Sequence, residues 1–311
     1  MTYIRLNLDF YHPWANNAGY YVGRALGYYR EEGIDLDITS YDPYRDDSLH
    51  RLAREEIDVA CNYPQRLMKH TEEGDELLSV AAVNNTTFES LIYDCRRPVD
   101  KLIDLEGHRV ATPHSPRSRQ VLRRVMEQHG ADPQNVEFVE YYPAEPDPLA
   151  IESGAFDAVW GSYWGWEGIL SQMENEEIRW YTAPDLGAPY VHNQILAVTR
   201  RRADAEPQLI RSFLRATARG FRAAAADPAA AAEVMVMVTP MFSRRQFSTA
   251  VATCAPTWAV DEWGRHDGEL VRSYAAWLAD EGFLSWRAGH VEAFSDEFLP
   301  TREEVRGGDD G

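Results

Sequence analysis

A chain of 311 residues is long enough for two domains of ordinary size, each burying its own apolar core. Its 44% hydrophobic and 26% charged residues are those of a globular protein, and the formal charge of −19 repels any polyanion, which makes nucleic acid a poor partner. Lys69 and Lys101 are the only lysines, so little lysine chemistry is open to the chain. The three cysteines, Cys61, Cys95 and Cys254, lie far apart with no CxxC pair and read as small buried hydrophobes. No apolar run approaches the ~20 residues that span a bilayer. A strand-like pattern begins at Thr2-Tyr3 and leaves no room for a signal peptide. Two localisations follow as expectations: extracytoplasmic, periplasmic or lipid-anchored, if a leader has been removed, and cytoplasmic if Met1 is the native start.

In chain order, alternation of Ile4, Leu6, Leu8 and Phe10 predicts a strand over residues 3–10. A helix over 18–32 follows, stopped by Gly33, then a strand over 34–38, a helix over 48–55 and a short strand over 57–61. This is the βαβαβ rhythm of a parallel sheet. The same rhythm restarts after Pro98, with strands over 109–112, 136–141 and 158–161 and a helix over 118–129. A strand over 195–198 returns to the first sheet. Beyond it, Pro207, the alanine-rich 213–234, 244–251 and 270–278 are helix candidates. The expected organisation is lobe I over 1–92 and 195–305, lobe II over 93–194 and a disordered tail over 306–311. Chain crossings fall near 91–94 and 193–196, with a ligand cleft where strand ends of the two lobes face each other.

Three clusters carry candidate chemistry. The loop DFYHPWANNAGYY, residues 9–21, places aromatic rings and neutral amides at a strand's carboxyl end, suited to stacking on and reading the edges of a planar polar ring. Its candidates are Asp9, Tyr11, Trp14, Asn16 and Asn17, and Asn62 and Tyr63, with Asn84 and Asn85 after a strand over 80–83, should converge on the same place. A core role for these rings is the competing reading. The second cluster, WGSYWGWEG over 160–168, offers Tyr163, Trp164, Trp166 and Glu167, some of which must be core. Glu167 either accepts from an exocyclic amine or merely sits early in a helix. The third, TPHSPRS over 112–118, leads into a helix, where Ser115 and Ser118 are caps or, with free amides, hold an anion or carbonyl oxygen. His12, His192, Tyr190 and Asn193 fall in cleft loops. There is no HExxH, GxSxG, EF-hand, P-loop or GxGxxG signature, so no catalytic residue, metal or cofactor is assigned.

Several segments resemble a known family. GYYREEGIDL at 27–36 looks like the GYFxxEGLDV signature of Thi5/NMT1-like solute-binding proteins, and EIDVA at 56–60 resembles their GxIDVA strand. LEGHRVA at 105–111 is similar to LxGKxVA, SGAFDA at 153–158 to xGxVDA, and GSYWGWEG at 161–168 to the GGYxNxEG of pyrimidine-precursor binders. The likeness spans residues 3–290, and its last motif is the most specific. It implies a two-lobed type 2 periplasmic-binding-protein α/β fold, each lobe a mostly parallel sheet flanked by helices. It also implies capture of a flat nitrogen heterocycle, a thiamine-pyrimidine precursor of the formylaminopyrimidine or hydroxymethylpyrimidine type, by a monomer serving an ABC permease. The sequence departs from that family at two places. Where the fungal synthases hold a cofactor lysine and a histidine, this chain has Asn62 and Arg66, and their cysteine-rich iron motif is absent. Where formylaminopyrimidine importers carry a glutamate after a tyrosine, it has Tyr190-Val191-His192-Asn193, which implies a changed ligand or a changed contact. The alternatives are a cytoplasmic enzyme on the same scaffold, desulfinase-like, menaquinone-pathway-like or making pyrimidines, a ligand sensor, or a binder of riboflavin or a sulfonate.

Overall fold

The computed structural model describes residues 1–42, 44–97, 102–141, 151, 154–285 and 289–306. The described strands are β1 (Thr2–Asn7), β2 (Ile34–Thr39), β3 (Val59–Asn62), β4 (Leu77–Ala82), β5 (Glu89–Asp94), β6 (Arg109–Pro113), β7 (Glu137–Tyr141), β8 (Ala158–Tyr163), β9 (Ile178–Thr182) and β10 (Ile195–Thr199). The helices are α1 (Ala18–Ala25), α2 (Tyr28–Glu31), α3 (Ser48–Ala53), α4 (Pro64–Glu73), α5 (Pro116–Gln128), α6 (Ile169–Glu174) and α7 (Arg200–Ala205). They continue with α8 (Pro207–Ala226), α9 (Pro228–Val238), α10 (Arg244–Cys254), α11 (Gly268–Asp280), α12 (Gly289–Glu292) and α13 (Arg302–Arg306).

Two compact units emerge. The first comprises Met1–Thr86 with Val191–Gly311, and the second Thr87–Tyr190. The sequence reading drew these limits at 1–92 with 195–305 and at 93–194. The structure moves the first limit back because the whole of β5 pairs with β8 and β9 of the second unit. The expected tail over 307–311 lies outside the described residues.

Both units are α/β with one five-stranded sheet, ordered β2-β1-β3-β10-β4 in the first and β7-β6-β8-β5-β9 in the second. In the first, β1 runs parallel to β2 and β3, while β10 is antiparallel to β3 and β4. In the second, β6 runs parallel to β7 and β8, while β5 is antiparallel to β8 and β9. Each sheet thus takes its reversed strand from the segment that enters the unit. This reversal brings the amino ends of β10 and β5 to the edge where the parallel strands have their carboxyl ends, the edge at which open α/β sheets carry ligands.

Helix boundaries follow local chemistry more closely than the hydrophobic pattern does. The single helix expected over 18–32 is two, because Gly27 takes φ 84° and interrupts the ladder between α1 and α2. The helix expected over 213–234 breaks at Pro228, which lacks an N–H, and Asp227 caps the new start by accepting from Ala230 N at 2.9 Å. The sequence reading did not name α4, although Pro64 at its start and Gly74, at φ 99°, beyond its end mark it. It also missed β9, a short run interrupted by Arg179 and carrying no clean alternation.

The packing of α1 on α8 sets the loop that precedes α1. A Cβ on Gly220 would lie 2.1 Å from the carbonyl oxygen of Gly19, and one on Gly19 would lie 2.3 Å from the Phe221 ring. Only glycines let the two backbones approach this closely. Leu49, Leu52, Ile57, Ala60, Leu67, Leu77 and Ile195 build a core beside the first sheet, and Ile92, Ala111, Ile151, Phe156, Val159 and Ile178 one in the second. Among the described residues no helix is long and apolar enough to cross a membrane.

Candidate functional site

In the first unit the loop after β1, the end of β4 and the start of β10 meet in a buried amide network. Asn16 donates from Nδ2 to Asn84 Oδ1 at 2.9 Å and to Gln194 Oε1 at 2.7 Å. Its Oδ1 accepts from Asn84 Nδ2 at 2.8 Å and from Trp258 Nε1 at 2.6 Å. Asn84 also donates to Thr257 Oγ1 at 2.8 Å. Gln194 completes the chain by donating to Asp9 Oδ1. Neutral amides suit this place because each supplies donors and acceptors at once and no charge is desolvated.

His192 is tied to the same network. Its Nδ1 bonds to Asn84 O at 2.8 Å, and its Nε2 accepts from the backbone N–H of Asp267 at 3.1 Å. An acceptor at Nε2 requires the proton at Nδ1, which fixes a neutral tautomer. Burial pulls its pKa down to about 4, with His266 adding to the pull.

Asp9 stands at the edge of this network. Burial raises its carboxyl pKa, against the stabilising effect of the Tyr63 hydroxyl, the Gln194 amide and the more distant Arg66 guanidinium. Its Oδ2 is shut off from solvent without a hydrogen-bond partner, and so is Asn17 Nδ2. A buried acceptor and a buried donor left open on one loop require an explanation, since each costs about 1–3 kcal/mol while unpaired.

The second unit places charge where the first places amides. Glu89, at the amino end of β5 and 7% exposed, accepts from Arg117 Nη2 at 3.2 and 3.1 Å through its two oxygens, and from Ser118 Oγ. Trp160 Nε1 donates to Ser118 O at 2.9 Å and to its Oγ at 3.1 Å. The backbone bends to allow this: the β5–β8 register shifts between Ser90 and Leu91, and Gly161 takes φ 89° with Pro113 so close that a Cβ would lie 2.7 Å away. The first turn of α5, a place suited to an anion, therefore already holds the protein's own carboxylate.

The candidates read from sequence separate accordingly. Asp9, Asn16, Asn84, His192 and, through Asp9, Tyr63 come together around one network, whose members Gln194, Thr257 and Trp258 carry no signal in the sequence. Asn16 cannot also read a ligand edge, because its amide is fully committed. Trp14 is corrected from stacking face to core: it is 0% exposed and packs beside Phe10, so no ring face is open. Asn17 is equally buried and accepts from Trp14 N at 3.1 Å. Asn62 turns away from Asp9, donating to Ser48 Oγ at 2.7 Å and Asp47 Oδ1 at 3.1 Å while accepting from Tyr63 N. Tyr11 and Asn85 are exposed, and Asn193 is buried.

In the second unit Ser115 is the cap of α5, accepting from Ser118 N at 3.3 Å, whereas Ser118 turns its hydroxyl to Glu89. Trp166 is core. Tyr163 and Trp164 are half-buried, with Trp164 donating to Thr87 O at 3.1 Å. Glu167 accepts from Tyr163 N at 2.9 Å, the local role that competed with amine recognition. Tyr190 is 56% exposed. Glu89 and Arg117 carry no signal in the sequence, because nothing in ESLIYD or HSPRS announces a pair separated by the whole of β6.

The profile of the family described as NMT1/THI5 like matches residues 14–231. The chain belongs to this family. The formylaminopyrimidine-binding protein of Halalkalibacterium halodurans is 25% identical over 233 residues, which cover 75% of this chain and 69% of that protein. Among solved structures, the periplasmic aliphatic sulphonate binding protein SsuA of Escherichia coli superposes with a TM-score of 0.73 at 13% identity, over 94% of this chain and 97% of that one. The alkanesulfonate-binding protein SsuA of Xanthomonas axonopodis pv. citri, bound to MOPS, gives 0.71 at 14% identity, over 95% and 98%. The two-lobed α/β fold of periplasmic binding proteins is thereby the fold of this chain, and at these identities the superpositions speak for fold alone.

Proposed function

We propose that this protein is a solute-binding protein that captures a flat, amine-bearing nitrogen heterocycle, a thiamine-pyrimidine precursor of the formylaminopyrimidine or hydroxymethylpyrimidine type. In this reading it works as an extracytoplasmic monomer and delivers its ligand to an ABC permease. The observation that carries the ligand class is the Oδ2 of Asp9, buried and without a hydrogen-bond partner among the described residues. An aminopyrimidine offers an N–H to it, with Tyr63, whose hydroxyl stabilises the same carboxylate, supplying an aromatic face.

The similarity to a formylaminopyrimidine-binding protein supports the same class. A sulfonate fits poorly, because it carries only acceptors. In the first unit it would meet the Asp9 carboxylate, which offers it no donor. Calorimetric titration of the protein with formylaminopyrimidine, hydroxymethylpyrimidine and an alkanesulfonate tests the proposal. Binding of either pyrimidine at micromolar or tighter Kd, with the sulfonate at least tenfold weaker, is the expected result. Preference for the sulfonate would overturn it.

A further inference from the structure

Outside the amide network, the first unit assembles a second set of groups that the binding reading does not use. Asp47 stands immediately before α3, His50 lies in its first turn, and His70 lies in the last turn of α4. One donor atom of each lies within 4.8 Å of those of the other two, and the rings of His50 and His70 are 4.3 Å apart, centre to centre. His70 is 4% exposed, and its Nδ1 bonds to Asp75 Oδ2 at 2.6 Å. A carboxylate on Nδ1 holds that proton in place, fixes the ring and leaves Nε2 as the lone-pair nitrogen. This is the orientation that a carboxylate gives to a metal-bound imidazole. No hydrogen bond within the described residues uses His70 Nε2 or either nitrogen of His50.

We propose that Asp47, His50 and His70 form a binding site for a borderline divalent ion of the Zn²⁺ class, with Asp75 positioning His70. Two imidazoles and a carboxylate are a three-ligand zinc set, the fourth position being left to water. Tetrahedral bonds of about 2.0–2.1 Å need ligand atoms roughly 3.4 Å apart, so the three must draw in by about an ångström. His50 is exposed, its ring contact is with His70 itself, and no hydrogen bond among the described residues holds it back. Asp47 already accepts from Leu49 N at 2.8 Å, from Asn62 at 3.1 Å and from Arg66 Nη1. The Arg66 contact joins a half-exposed guanidinium to a largely buried carboxylate, and a bound cation would take over the charge that Arg66 supplies. A carboxylate has about four lone-pair positions, which leaves room for a metal beside the two structural bonds. The chain's −19 charge raises the local concentration of any cation.

Tag-free protein stripped with chelator and titrated with Zn²⁺ alone tests the site, and Co²⁺ reports its coordination through its visible spectrum. The expected result is one Zn²⁺ per chain and a rise in melting temperature of roughly 3–5 °C at a hundredfold excess over Kd. Tetrahedral Co²⁺ absorption should appear with it. His50→Ala, which removes an exposed side chain that has no hydrogen bond among the described residues, should weaken binding at least tenfold and abolish the rise while changing the metal-free melting temperature little. Zinc affinity unaltered by His50→Ala, or an equal thermal shift from Mg²⁺, would show that the acidic surface alone attracts the ion and would overturn the proposal.

Discussion

The two units solve the same problem with opposite chemistry. In each, a reversed strand brings its amino end to the edge formed by the carboxyl ends of parallel strands. In the first unit that end carries Gln194, a neutral amide shared between Asn16 and Asp9. In the second it carries Glu89, a carboxylate held by Arg117 and Ser118. Topology therefore dictates that a polar side chain occupies this position but leaves its charge open. A network of amides confines ion desolvation to Asp9 at its edge and depends on every member being present. A charged cluster must offset that desolvation through the geometry of its pair.

The sharpest way to break the comparison is to remove the hub of the first unit. Asn16→Ala should leave Asn84, Gln194 and Trp258 with unpaired buried groups and cost about 3–5 kcal/mol of unfolding free energy, at roughly 1–3 kcal/mol for each orphaned group. Chemical denaturation measures it. A loss below about 1 kcal/mol would mean that the network is not cooperative.

Protonation should strike the same unit next. The folded pKa of His192 is depressed to about 4 from 6.5. Its neutral form therefore contributes stability that is fully present above the unfolded pKa and is lost as pH falls from 6.5 through 4. The lowering amounts to about 3 kcal/mol, taking 1.36 kcal/mol per unit. Denaturation curves between pH 7 and 4 should show it, and His192→Gln, which cannot titrate, should flatten the profile. An unchanged profile in that variant would assign the loss to other groups.

The second unit should respond less. Glu89→Ala breaks an ion pair whose arginine is partly open to solvent, so the expected loss is about 2 kcal/mol, below that of a fully buried pair. Adding Arg117→Leu should recover part of it, because the stranded cation is removed as well. A double variant worse than either single change would place the role of Arg117 elsewhere.

How much of this could be read from sequence depended on the range of the interactions. The βα rhythm was legible because alternation and Gly or Pro punctuation are local. Gly33, Pro207 and the strand patterns placed elements within a few residues, while Gly27 and Pro228, overlooked as breaks, split two helices. The convergence of the 9–17 loop with the end of β4 was also legible, since strand ends of one sheet must meet at one edge. What a side chain does there was not. Whether Trp14 offers a face or fills the core is decided by its packing, 0% exposed and beside Phe10, which its own sequence neighbourhood does not announce. Asn62 and Asn16 look alike in sequence, yet one donates to Asp47 and Ser48 while the other makes four hydrogen bonds to three partners. Such choices are made between residues tens to hundreds of positions apart.

The central claim is that Asp9 reads the amine of the ligand, and one variant tests it most directly. Asp9→Asn keeps size and shape but replaces the carboxylate by an amide. Titration with formylaminopyrimidine should show affinity at least tenfold below wild type, the loss of a hydrogen bond to a charged acceptor being about 1.5–3 kcal/mol, with the melting temperature nearly unchanged. Undiminished affinity in Asp9→Asn would contradict the account.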